Sequence, residues 1–260
     1  MSLRPRRAGP ARLLDESRGG WLSLPAGIAV WEIAGRACGF AFLPPFSAAV
    51  AAVWRMTWSG ELPLNVVASL TALLVGYGSA VCVGIPLGVL MGRYRRVDAF
   101  LDAYVTILLA TPKLLFVPVL FSLFGTSRLT QVIFIHLSAV VVIVVNARGG
   151  VRGVDAGCVE MARAFGATER QMLTRILLPG ALPLIMAGVR IGMGRAVRAM
   201  IMGDMLIAVV GMGAMLRRYG DRLDAASVFG LLLVIVGVAL VCTSMIRWGE
   251  RRMTRWTENL

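Results

Sequence analysis

Few side chains in this chain could do chemistry. Its 260 residues include one histidine, His136, and one lysine, Lys113. Phosphate chemistry on ATP needs a loop of the form G-x-x-x-x-G-K-[ST], and Lys113 follows Thr111-Pro112 instead. The cysteines Cys38, Cys82, Cys158 and Cys242 contain no C-x-x-C pair. Three of them fall in apolar runs and read as small buried residues, neither a disulfide framework nor a zinc site. His136, also in an apolar run, reads as a buried hydrogen-bonded side chain and not as a ligand. No Ser/His/Asp constellation emerges, so neither an active site nor a metal site is expected.

What remains is charge in costly places. Arg190, Arg195, Arg198 and Asp204 share one apolar run, and Lys113 interrupts another. Each such residue costs about 2.5–3.5 kcal/mol in a membrane helix and usually faces a bundle interior or a water-filled path. These five are candidates for lining a solute path. Arg195 and Arg198 would add positive potential favouring an anionic or polar solute. The plainer reading is snorkelling, pairing between helices or a dimer contact. Arg190 and Asp204 lie on similar faces but roughly 21 Å apart along the axis, so they cannot pair.

The elements that must position these charges are membrane helices. The chain is 58% hydrophobic and 16% charged, where a soluble domain has about 45–50% and 25%. Mean hydropathy is +0.77. Net charge is +13, but the basic residues alternate with apolar runs, unlike a nucleic-acid-binding stripe. Apolar runs near 23–43, 62–92, 103–125, 129–147, 181–209 and 225–246 reach or approach the ~20 residues a spanning helix needs. Backbone groups in lipid must bond internally, and uncharged runs of this length exclude a β-barrel. The expected class is all-α and polytopic, with about six transmembrane helices. The first run is too long for a signal peptide, and its Glu32 and Arg36 can pair at i, i+4. Pro112 and Pro118 flank Lys113 and predict a kinked third helix. Gly84-x-x-x-Gly88 and Gly188-x-x-x-Gly192 permit close helix packing.

Six spans put both termini on one side. That side, with the loops at 92–100 and 148–180, holds 17 arginines against five on the other. The positive-inside rule then makes 1–22 and 248–260 cytoplasmic tails, 23–247 the membrane domain, and 148–180 a cytoplasmic loop. Within that loop, residues 156–165 are good helix formers, Gly166 suits a helix end, and Thr168 with Gln171 has capping-box spacing. Pro179 and Pro183 bracket the start of the fifth span. The expectation is a helix–turn–helix at the membrane surface, presenting Glu160, Met161, Arg163 and Phe165.

The pattern Glu160-x-Ala162-x-x-x-Gly166, nine residues, then Ile176-x-Leu178-Pro179 resembles the EAA loop of binding-protein-dependent ABC importer permeases, with Met161 replacing the middle alanine. Trp31-Glu32, Leu43-Pro44-Pro45, the Gly84–Gly92 stretch, Thr111-Pro112-Lys113, Phe124-Gly125, Asn146–Arg152, Leu178–Pro183 and Gly211-Met212-Gly213 extend the likeness over nearly the whole chain. They resemble the nitrate/sulfonate/taurine/pyrimidine-precursor group. The resemblance implies a type I importer permease fold in a bacterial inner membrane. It also implies a homodimer, two ATPase subunits that bind ATP and Mg, and an extracytoplasmic solute-binding protein. The Glu160–Phe165 helix would dock in a groove of the ATPase, and this chain would bind no cofactor itself. Asp204 stands where the family commonly carries a glutamate, Arg190 matches a family arginine, and Arg195 and Arg198 are less usual. A secondary transporter would need inverted repeats and coupling-ion carboxylates, which are not found. A non-transport scaffold is the remaining alternative.

Overall fold

The structure, a computed structural model, describes residues 11–37, 42–207 and 210–254; the side chains of 11–22 and 254 are left aside. Cys38, Arg255 and the outermost parts of both tails lie outside the described residues. The described residues form helices and turns without strands. They are α1 (Ala11–Ala37), α2 (Phe46–Trp58), α3 (Glu61–Arg93), α4 (Arg95–Ala110), α5 (Val117–Phe124), α6 (Arg128–Arg152), α7 (Ala156–Ala164), α8 (Glu169–Gln171), α9 (Leu178–Leu206), α10 (Met212–Asp221) and α11 (Ala225–Thr254). A 3-10 turn, Lys113–Phe116, precedes α5, and a π-helical turn, Met172–Leu177, joins α8 to α9.

Four described helices are long and apolar enough to cross a membrane: Glu61–Arg93, Arg128–Arg152, Glu169–Leu206 and Ala225–Met253. Residues 95–110 with 113–124 make a fifth if that pair, bent by 99°, is one span. The first expected span is not in this set. Its helix begins at Ala11, inside the expected tail, and ends at Ala37, short of residue 43. Glu32 does pair with Arg36, at 2.6 Å. Glu32 also accepts from the Ser47 backbone N–H at 2.9 Å, so it satisfies an open donor in the first turn of α2. Trp31 Nε1 donates to the Pro44 carbonyl at 3.0 Å, locking the same corner. α2, at 13 residues, is about 20 Å long and too short to span.

α6 is the central helix, packed on both α3 and α9, which also touch each other. Its most apolar stretch is 61% buried inside the chain, against 22–39% for the other three spans. Small residues permit that closeness. A β-carbon on Gly88 of α3 would lie 2.5 Å from the Val144 carbonyl, and one on Gly188 of α9 would lie 2.5 Å from Asn146 Cβ. Both expected glycine pairs are therefore used against α6, with Gly84 and Gly192 both meeting Ile143. The outer faces of α3 and α11 leave Leu64, Leu74, Leu240, Val241 and Met245 exposed. Apolar surface of that extent is a lipid-facing surface, not a solvated one. A smaller core, Ala52, Met56, Leu62, Met215 and Leu231, ties α2 and α10 to the bundle.

Candidate functional site

The loop between α6 and α9 folds as its local sequence dictates. Asp155 caps α7, its Oδ1 accepting from the Cys158 N–H at 3.0 Å. α7 stops because Gly166 adopts φ +74, a left-handed conformation that a β-carbon disfavours. Thr168 and Gln171 then form a reciprocal capping box that starts α8. The π turn carries the chain without a break into α9, where Pro179 has no N–H to give to a carbonyl of that preceding turn.

The motif residues divide into two sets. Glu160, Met161, Arg163, Phe165 and Gly166 are exposed, and Ala162, Ile176, Leu178 and Pro179 are partly buried. Ala162, Ile176 and Leu178 pack against the main core. Phe165 is 85% exposed, which leaves a large aromatic ring with nothing over it in this chain. A groove of about 550 Å³ runs beside it, lined by Cys158, Met161, Phe165, Ile176 and Pro179.

Charged side chains moor this loop to the bundle. Arg93, at the end of α3, donates to the Glu169 carboxylate of α8. Arg148 of α6 reaches Asp98 at 2.7 Å and Asp102 at 2.5 Å on α4. Arg152, one turn on, also pairs with Asp98. Sequence reasoning used these arginines for sidedness, and Arg148 and Arg152 also within the Asn146–Arg152 stretch, but passed over Asp98 and Asp102. The available signal was spacing: acids at i, i+4 on one helix and arginines at i, i+4 on another form a ladder when the helices lie side by side.

The five intramembrane charges separate. Lys113, Arg195 and Arg198 come together around one cavity of about 360 Å³, with Pro112, Phe134 and Ser138 among its other walls. Arg190 and Asp204 are not among its lining residues. Arg190 pairs with Glu250 of α11 at 3.2 Å, the interhelical alternative. Asp204 is fully buried. It accepts from Ser69 Oγ at 2.5 Å, from Gln131 Nε2 and from the Gly213 N–H at 3.3 Å. Ser69 in turn accepts from the Met212 N–H at 2.9 Å, and Asn65 from the Gly211 N–H at 2.7 Å. The open amides at the start of α10 are thus satisfied from α3 and α9. The helix dipole there favours the buried carboxylate.

Lys113 has a structural task as well as a place in the cavity. The third expected span breaks by 99° instead of kinking, because Pro112 cannot donate to the Leu108 carbonyl. The Lys113 ammonium donates to that carbonyl and to the Thr111 carbonyl, replacing the lost bond. His136 bonds Ser79 Oγ at 2.9 Å and is half-buried, as expected of a structural histidine. Among the described residues no group of three or more His, Cys, Asp or Glu could hold a metal.

The bundle of apolar helices with a moored, exposed helical loop has the fold of type I ABC importer permeases. Residues 84–255 match the binding-protein-dependent transport system inner membrane component family, and the chain belongs to it. It is a translocation subunit, not an enzyme. It is 30% identical over 192 residues to the taurine transport system permease protein TauC of Escherichia coli (strain K12), covering 74% of this chain and 70% of that one. It is 31% identical to SsuC, a permease protein assigned to aliphatic sulfonates transport in the same organism, covering 90% of each. A chain of the inward-facing MetNI methionine ABC transporter shares the fold, with TM-score 0.67 and 23% identity over 77% of this chain and 98% of that one.

Proposed function

We propose that this permease imports a small polar, anionic solute and is driven by a separate ATPase that engages the 160–179 loop. The observation that carries the reading is Phe165, exposed on a capped helix–turn–helix whose base is held by ion pairs. An exposed aromatic on a rigid mount is what a docking surface needs. ATP and Mg would sit on two partner ATPase chains. An extracytoplasmic binding protein would deliver the solute, and a second copy of this chain would complete a homodimeric path. The arginine imbalance supports placing the loop and both tails, 1–22 and 248–260, in the cytoplasm of a bacterial inner membrane. The likeness to an aliphatic sulfonate permease supports an anionic solute; a vitamin-precursor-like solute is the second possibility within the resembling group.

Glu160→Lys and Gly166→Asp test the docking. Uptake in reconstituted vesicles should be lost while both variants remain in the membrane at normal abundance. Full ATP-dependent uptake by both variants would overturn it.

A further inference from the structure

The apolar run of α11, residues 225–246, is about 33 Å long as a helix and fills the hydrocarbon core by itself. Arg247, Trp248, Arg251 and Arg252 follow at once, at headgroup depth. All four are exposed. The Arg252 guanidinium stands over the Trp248 ring, 4.8 Å from its centroid. The only acid in residues 247–254, Glu250, pairs with Arg190 of α9 at 3.2 Å. Among the described residues Arg247, Arg251 and Arg252 are in no ion pair. A groove of about 690 Å³ adjoins them, lined by Leu240, Val241, Met245, Ile246 and Trp248, with Gly249 the last along the helix. A β-carbon on Gly249 would meet nothing within 4 Å. Helical spacing puts Val241, Met245, Trp248 and Arg252 on one face, so an apolar wall ends in a cation.

We infer that this end of α11 is a binding site for an anionic phospholipid, with an acyl chain along Val241 and Met245 and the phosphate at Arg251 and Arg252. A guanidinium offers a phosphate two parallel N–H bonds. Stacking on Trp248 restrains Arg252, so less freedom is lost when the headgroup binds. The basic cluster, with its one acid engaged by α9, favours a headgroup of net negative charge. A zwitterionic headgroup brings an ammonium that these arginines repel. A second copy of this chain is a poorer occupant of the same face. A two-fold axis along the membrane normal would set two arginine clusters against each other at one depth.

The test is native mass spectrometry of the delipidated, detergent-purified transporter titrated with phosphatidylglycerol or phosphatidylcholine. The tightest phosphatidylglycerol site should prefer that lipid to phosphatidylcholine by about tenfold or more. Arg251→Gln and Arg252→Gln should each raise its Kd by about fivefold, and Arg252→Lys should recover part of the loss. Gly249→Leu keeps every charge and suits a helix better than glycine does. It should also weaken binding of phosphatidylglycerol, because its side chain fills the groove. Size-exclusion profile and thermal midpoint report folding of each variant. Equal affinity for the two lipids, or an unchanged Kd in the Arg251→Gln/Arg252→Gln double variant or in Gly249→Leu, would each overturn the inference. So would full-yield disulfide crosslinking between two copies carrying Met245→Cys, which would seat a second copy on this face.

Discussion

Arg148, near the end of α6, holds two acids of α4 at once, Asp98 at 2.7 Å and Asp102 at 2.5 Å. Arg152 adds a second hold on Asp98. The next residues lead straight into α7, so this ladder fixes the root of the loop proposed to dock on the ATPase.

Asp98→Ala should therefore destabilise the complex. The Asp98 side chain is 13% exposed, and removing it takes the acid partner of Arg152 and one of the two held by Arg148. The cost is on the order of 3 kcal/mol, the low end for a buried pair, because Arg152 is nearly half exposed and screened. Thermal unfolding of the detergent-solubilised complex measures it. Asp98→Glu should lie between the variant and the parent, and an unchanged midpoint for Asp98→Ala would deny the ladder its role.

Lys113→Met should weaken the break between α4 and α5. Two carbonyls then lose their donor inside the bundle, at about 1–3 kcal/mol for the pair. Lys113→Arg retains donors and should keep most of the stability. Comparing thermal midpoints of the two variants separates hydrogen bonding from side-chain volume.

Two glycines with positive φ should respond differently to alanine. At Gly211, with φ +130, a β-carbon would lie 2.6 Å from the Asp204 carboxylate. Gly211→Ala should disrupt the Asn65–Ser69–Asp204 network and sharply lower membrane abundance. At Gly166, with φ +74, a β-carbon meets open space. Gly166→Ala should cost only the left-handed conformation, about 1–2 kcal/mol, and the chain should accumulate. Quantitative immunoblots of membrane fractions compare them.

The sequence made the long spans and the loop legible because they rest on local signals. Uncharged runs marked α3, α6 and α11, while Gly166 and the Thr168–Gln171 box marked the turn between α7 and α8. α2 and α10 were missed because both are too short to read as spans. Their positions depend on distant partners: Glu32 for α2, and Asn65, Ser69 and Asp204 for α10. The candidate path was only half legible for the same reason. Periodicity placed Arg190, Arg195, Arg198 and Asp204 on α9, but Glu250 and Ser69, which take Arg190 and Asp204, lie 60 and 135 positions away in the chain. Only packing reveals which charges are left for the cavity.

Docking of α7 is tested most directly by a photo-crosslinking residue at position 165, with position 240 on the outer face of α11 as control. In membranes containing the whole transporter, position 165 should form an adduct with the ATPase subunit, and position 240 only with lipid. The Glu160→Lys substitution should reduce the first adduct. Adducts from position 165 confined to lipid or to this chain itself would contradict coupling through this loop.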